Sequence, residues 1–310
     1  MSNNIKVSYV VTVYNKALYL PYTIQSIKSQ NLGMPVELIF VDDASTDNSV
    51  EVIKKETADM KNVIIITNSP NKGPSIRLNQ GAKKASGQYL HLVDGDEILP
   101  TNATKVMLNL LIENKVDFIY GKKQKTNLES RELLGQYISE EIKYKNYFNP
   151  LLEILNGKFV GISLMTSKAL YNKSGGCDER VFIQDESLPI RLAHKAENFI
   201  SLNNTVVFAP KKNHENLSRL KNQQHHDRFL VYKYAIEDFS NSISNIEKKK
   251  MYQRAISSVW KNKKIQSNTL DRCVFFFKYL YITLLKPMPN SQELRSAANH
   301  FDECDDIRRM

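Results

Sequence analysis

Residues 88–100 read QYLHLVDGDEILP: an apolar, strand-like run from Gln88 to Val93 halts at Asp94-Gly95-Asp96-Glu97. Taken alone, an Asp-Gly step reads as an exposed acidic turn. Outward from it, the same unit recurs. Val7 to Val13, Val36 to Val41 and Val63 to Thr67 are near-continuous apolar runs, the pattern of strands covered on both faces. Ala17 to Gln30, Asp47 to Ala58 and Ser75 to Ala85 carry apolar residues at helical spacing. Thr101 to Glu113 adds a helix with Thr101 as its N-cap, and Val116 to Tyr120 closes the series. This alternation predicts an α/β fold, a Rossmann-like, mostly parallel sheet flanked by helices. Right-handed crossovers place the carboxyl ends of the parallel strands on one edge, where ligands bind at the reversal of strand order. Polar clusters fall there: Thr12-Val13-Tyr14-Asn15, Asp42-Asp43, Asn68, and Asp94 to Glu97.

That position changes the reading of the acidic loop. Carboxylates crowded at the end of a central strand repel one another, and a divalent cation relieves the cost. Oxygen ligands suit magnesium or manganese, which also bind substrate phosphates. Asp42 and Asp43 likewise follow a buried strand. A carboxylate there can accept the imide N–H of a uracil or thymine ring but repels phosphate. Thr46 or Asp47 is expected to cap the next helix. Gln184-Asp185-Glu186 has two readings, an N-cap for the helix that carries Leu188 and Arg191 or a general base at Asp185. No GxGxxG follows the first strand and no GxxxxGK[ST] occurs, which argues against dinucleotide oxidoreductases and P-loop enzymes.

The chain has 310 residues, 42% of them hydrophobic and 25% charged, an ordinary soluble composition. Its three cysteines are scattered and form no CxxC pair, which favours a reducing compartment, and a cytoplasmic location is expected. The N-terminus does not read as a signal peptide, and no apolar run is long enough to span a membrane. Net charge is +10, and residues 211–310 hold 19 Lys and Arg against 11 Asp and Glu. A basic face can meet nucleic acid, an anionic membrane or a phosphorylated substrate. No nucleic-acid-binding motif is present, so nucleic acid is not expected. The stretch CVFFFKYLYITLL, Cys273 to Leu285, reads as a core-facing helix, as a membrane-surface element or as a dimer contact. Lys122 to Asn149 is charged and weakly periodic, Pro150 to Pro210 is mixed, and the chain after Asn213 is helical and basic.

Together, VSYVVTVYNKALYLPYTIQSIKSQ, ELIFVDDASTDNS, NSPNKGPSIRLNQGAKKASGQYLHLVDGDEILP and GGCDERVFIQDESLPIRL resemble the inverting family 2 glycosyltransferases with the GT-A fold, over roughly residues 5–215. The resemblance implies a catalytic domain over 1–215, divided into a nucleotide-binding half (1–121) and an acceptor-binding half (122–215), with a helical C-terminal region over 216–310. It implies that Thr12 and Tyr14 flank the base and ribose of a nucleotide-sugar donor. Asp43 matches the base-reading carboxylate, with Asp42 beside it. Asp94 and Asp96 match the DxD motif on a manganese or magnesium ion, and His214 resembles a histidine that helps hold that metal. Asp185 matches the general base of a single displacement onto a glycan or lipid-linked glycan acceptor.

Two departures stand out. The usual Glu-Asp pair reads Gln184-Asp185, and Arg77 lies one position from the expected diphosphate contact, a step of about 100° around a helix. Three competing readings remain: transfer of another group from a nucleotide on the same fold, a non-catalytic nucleotide binder, and a nucleic-acid binder.

Overall fold

The computed structural model describes residues 7–138, 141–157, 159, 162–211, 220–266, 269–281, 291–302 and 307. Its first half alternates strand and helix: β1 (Val7–Val13), α1 (Leu20–Lys28), β2 (Val36–Asp42), α2 (Ser49–Glu56), β3 (Val63–Ile66), α3 (Pro74–Lys84), β4 (Tyr89–Asp94) and α4 (Ala103–Glu113). β5 (Phe118–Thr126), β6 (Tyr144–Tyr147), α5 (Pro150–Asn156), β7 (Leu164–Ser167), α6 (Lys168–Ser174), α7 (Gln184–Lys195) and β8 (Phe199–Pro210) follow. Among the described residues four helices follow: α8 (Lys221–Asp238), α9 (Asn245–Gln266), α10 (Thr269–Leu280) and α11 (Ser291–Asp302).

The strands form one sheet in the order β3-β2-β1-β4-β7-β5-β8-β6. β1 pairs in parallel with both β2 and β4, so strand order reverses between β1 and β4. Across that reversal Thr12 lies opposite Asp94. β7 enters antiparallel between β4 and β5, so the sheet is mixed beyond β4. All seven residues of β1 are buried, as its unbroken apolar run predicts.

Two apolar layers cover the sheet. One face packs Tyr9, Phe40 and Ile119 against α1 and α4 through Leu20, Ile24, Met107 and Leu111. The other face joins Val10, Ile39 and Phe118 to Leu78 of α3 and Leu188 of α7. That second layer runs on to Phe229, Tyr252 and Leu294, so the C-terminal helices share a core with the sheet.

Helix starts differ in detail from the sequence reading. The N-cap of α4 is Asn102, and the Thr101 N–H donates instead to the Gln136 carbonyl. The N-cap of α2 is Asn48, so neither Thr46 nor Asp47 caps it as expected; Asp47 accepts the Ser49 N–H at 3.0 Å from just outside the helix, and the Thr46 N–H donates to Asn15 Oδ1. Asp185 lies inside the first turn of α7, whose N-cap is Ile183, so the capping reading of Asp185 fails.

Candidate active site

The site is assembled where β1, β2 and β4 end. The turn after β1 turns on Asn15, a non-glycine residue at φ 51°. It is held by the next βα loop: the Asn15, Lys16 and Ala17 N–H groups donate to Ser45 Oγ, Ser49 Oγ and Asp47 Oδ2 at 2.9, 2.8 and 3.0 Å. Those hydrogen bonds brace the turn after β1 against the loop after β2. Tyr14 is half-buried at the head of this turn.

At the end of β2, Asp42 and Asp43 are both buried but differently engaged. Asp43 accepts the Lys72 and Gly73 N–H groups at 2.8 and 2.7 Å and the Arg77 Nε–H at 2.6 Å. Gly73 is required there, since its φ is +88° and a Cβ would lie 2.6 Å from the Phe182 ring. Asp42 accepts the Ser45 N–H through Oδ2, and its Oδ1 is buried with no hydrogen-bond partner. Arg77 also donates to the Pro70 carbonyl, so its guanidinium ties Asp43 to the loop that leads into α3. Asn79, beside it, binds Cys177 and Glu179 and ties α3 to the segment before α7.

At the end of β4, Thr12 Oγ1 donates to Asp94 Oδ1 at 3.2 Å, and the Gly95 N–H donates to the Thr12 carbonyl. Glu97 folds back to accept the Asp94 N–H at 2.9 Å. Two lysines that the sequence reading did not single out meet these acids. Lys16 Nζ lies 2.7 Å from Asp96 Oδ2. Lys123 Nζ lies 2.5 Å from Glu97 Oε1 and 3.7 Å from Asp94 Oδ2. Lys123 reaches the site because β5 continues past Tyr120 to Thr126, with irregular register at Tyr120, Lys122 and Lys123 against β8.

Burial raises Asp94 above the usual carboxylate range, and Lys123 opposes that rise. Burial lifts Glu97 to about 7 against the same lysine. Lys123 itself is opposed by burial, but the Glu97, Asp94 and Asp185 carboxylates hold its pKa well above normal. These residues therefore act as one charge cluster spanning the sheet edge.

Asp185 joins the cluster from the first turn of α7. Its Oδ1 is buried without a hydrogen-bond partner, and burial with the nearby Asp94 charge lifts its pKa to about 6. Glu186, next to it, is tied to Arg228 of α8, so a C-terminal helix braces the turn that carries Asp185. Neither Lys123 nor Arg228 carries a local signature: one sits in the polar run GKKQK and the other in a long helix.

The expected metal ligands divide in two. Asp94 and Asp96 flank Gly95 on the edge, and His214 lies outside the described residues. Among the described residues, no group of three or more His, Cys, Asp or Glu forms a metal-holding cluster. Two carboxylates nevertheless fit the magnesium or manganese pattern of one or two protein oxygens completed by substrate phosphate and water. An uncovered backbone at Gly95 keeps the loop tight, because a Cβ would lie 3.1 Å from the Thr12 carbonyl and 3.3 Å from Lys16 Cγ.

With this geometry in view, the comparisons agree on one family. The model for glycosyl transferase family 2 matches residues 8–175. An uncharacterized glycosyltransferase of Haemophilus influenzae is 30% identical over 138 residues, covering 44% of this chain and 55% of that protein. A poly(ribitol-phosphate) beta-glucosyltransferase of Bacillus spizizenii is 32% identical over 119 residues, covering 38% of this chain and 19% of that protein. The matched part is thus about half or less of either relative. In fold, the chain is similar to S. aureus TarS 1–349 in complex with UDP-GlcNAc, with a TM-score of 0.69 and 17% identity, over 96% of this chain and 89% of that one.

Proposed function

The chain belongs to glycosyl transferase family 2, and on that premise we propose that it moves a sugar from a nucleoside-diphosphate sugar to a hydroxyl of a glycan or lipid-linked glycan, with inversion. Uridine is the favoured base. The observation that carries this reading is Asp185: a carboxylate with one buried, unpartnered oxygen in the charge cluster of Asp94, with a pKa raised to about 6. Such a group is ionised at neutral pH, basic enough to take a proton, and not already committed to an ion pair. The solved TarS complex holds UDP-GlcNAc, which supports a uridine donor. The Bacillus relative is named for a poly(ribitol-phosphate) acceptor, which supports a polymeric one.

In the proposed reaction the acceptor oxygen attacks the anomeric carbon as Asp185 takes the hydroxyl proton, and the bond from that carbon to the diphosphate oxygen breaks. Asp43, the base-reading carboxylate that the resemblance implies, is engaged by Lys72, Gly73 and Arg77, so in this reading Asp42 Oδ1 beside it accepts the base imide N–H, while Tyr14 flanks the base and ribose and Thr12 holds Asp94 in place. Asp94 and Asp96 would hold magnesium or manganese, which when bound offsets charge on the departing diphosphate. Gln184, where the family commonly has Glu, keeps a further negative charge away from Asp185.

The reading also divides the chain near residue 215, with donor binding over 1–121, acceptor binding over 122–215 and a helical region over 216–310. It places the protein in the cytoplasm at the inner face of a membrane. Among the described residues no helix is long and apolar enough to cross one. The exposed α10 face, with Leu270, Val274 and Phe277, is where surface contact would be made.

A donor screen that measures nucleoside diphosphate release with manganese or magnesium tests the proposal. Release from a UDP-sugar that requires both metal and acceptor supports it. Release of pyrophosphate with transfer of the nucleotidyl group would refute it.

A further inference from the structure

The Lys16–Asp96 pair is an unusual feature for a carboxylate expected to meet a metal. The two side chains are 13% and 11% exposed, so the pair is mostly withdrawn from solvent, and its 2.7 Å separation is that of a charge-assisted hydrogen bond. The lysine is not there by chance of a flexible loop. Its backbone N–H is fixed on Ser49 Oγ, and its neighbours on Ser45 and Asp47. Its stem then passes over Gly95, where a Cβ would meet Lys16 Cγ at 3.3 Å. The glycine of the acidic loop therefore leaves a lane for this lysine, and the lane ends at Asp96. The Tyr19 ring, 5.9 Å from the ammonium, flanks it.

We propose that Lys16 is a resident countercation of Asp96 that a divalent ion must displace, so that metal and lysine compete for one carboxylate. This rests on the metal reading given above. The charges support an exchange. Among the described residues, Asp94, Asp96, Glu97 and Asp185 are met by the ammonium groups of Lys16 and Lys123, with Lys125 also acting on Asp185. Lys16 reduces the repulsion among these acids and so stabilises the empty edge. The same bond weakens metal binding, because an ion arriving at Asp96 must first break it. A donor diphosphate changes the balance. It adds negative charge on the same edge and gives the released ammonium a new anion. Metal and nucleotide then each favour the state in which Lys16 has left Asp96, and each raises the affinity for the other. Lys16 thus couples the two loading events.

Lys123 does not share this role. Its nearest partner is Glu97, whose other oxygen is fixed on the Asp94 N–H, so it is anchored on the loop's own scaffold.

The test is Mn2+ binding to the purified full chain, followed by electron paramagnetic resonance of the free ion with and without UDP. Lys16→Met keeps the apolar stem over Gly95 and removes the charge. It is expected to bind Mn2+ about tenfold more tightly than the parent without UDP, in line with the worth of one charge-assisted hydrogen bond. UDP should then improve Mn2+ affinity less than it does in the parent. Lys16→Arg keeps a cation on Asp96 and should bind Mn2+ no more tightly than the parent. Unchanged Mn2+ affinity in Lys16→Met, or an undiminished effect of UDP, overturns the proposal. Asp96→Ala separates the layers. If it binds Mn2+ like the parent, the metal reading itself fails. If it loses the ion while Lys16→Met behaves like the parent, the displacement idea alone fails.

Discussion

Arg77 Nε donates to Asp43 Oδ1 at 2.6 Å, and each of the two side chains is only 6% exposed. With the Lys72 and Gly73 N–H groups on the same carboxylate, Asp43 is the keystone of the loop that leads into α3. Asp42, one residue earlier, keeps its buried Oδ1 unpartnered. Two adjacent acids thus differ in engagement, Asp43 committed to the fold and Asp42 with one oxygen uncommitted.

From that contrast, Asp42→Asn is expected to weaken UDP binding about tenfold, the difference between a charged and a neutral acceptor, with little change in melting temperature. Asp43→Ala leaves a buried guanidinium and two N–H groups without their acceptor. It should lower stability by about 3–5 kcal/mol, as the breaking of a buried pair does. Calorimetry with UDP and thermal melting on both variants check this. If Asp43→Ala melts like the parent and loses UDP instead, the roles of the two acids are reversed.

Asp185 gives a prediction in pH. Its pKa rises from 3.8 to about 6 in the fold, first through burial. A base works ionised, so the rate should climb as pH rises through about 6 and level off above. Asp185→Asn should lower kcat by about 10²–10⁴-fold with donor affinity nearly intact, and the acidic limb should disappear.

Stability runs the other way. Because the folded state holds this proton more tightly than the unfolded chain, rising pH between 3.8 and about 6 makes the Asp185 contribution less favourable. Asp185→Asn should therefore melt higher than the parent at neutral pH. A variant that melts lower and still turns over would make Asp185 a structural residue, and Glu186 the next base to test.

The first four strands and the acidic ends of β2 and β4 were legible because each βα unit is local: a short apolar run, a polar end, a helical period. Lys123 was not. GKKQK shows no apolar alternation, and β5 continues through it because β8 pairs with Lys122 to Thr126, a partner distant in sequence. Lys16 was hidden differently, since a lysine in a turn reads as solvated, and its burial comes from Gly95 and Asp96 on another loop. For Asp185 the sequence left cap and base both open. Its place one residue inside the first turn, together with a buried, unpartnered oxygen, decides against the cap.

Lys123 should matter to both fold and pH profile. Lys123→Met leaves Glu97, which is 0% exposed, without its cation, at a cost of about 3–5 kcal/mol. It also removes a positive charge that lowers the Asp185 pKa, so the acidic limb of kcat/KM should move to higher pH. Pairing it with Glu97→Gln should recover stability while the shifted limb remains, because Lys123 acts on Asp185 directly. A limb that stays in place in a folded variant would show that the lysine does not act on the base.

The last prediction concerns α10. Leu270, Val274 and Phe277 are exposed, and Tyr281 continues the stripe just past the helix. Their spacing of four, three and four residues puts them on one face. The other face is anchored, with Phe276 and Tyr279 packed on Trp260 of α9. Exposed Lys261 and Lys264 lie near the end of α9. An exposed apolar stripe in a basic C-terminal region fits an anionic lipid surface, where each lysine within a Debye length contributes about 1 kcal/mol. A second copy of the chain would cover the apolar stripe but would bring its own lysines against these. Co-sedimentation with vesicles containing phosphatidylglycerol at low salt is expected, with loss at high salt as the charges are screened. Leu270→Ser with Phe277→Ser should abolish that binding while UDP affinity stays at the parent value, since neither residue lies near the sheet edge. If the parent instead sediments as a dimer that these substitutions dissociate, and no vesicle binding occurs, the stripe is a subunit contact and the membrane reading is wrong.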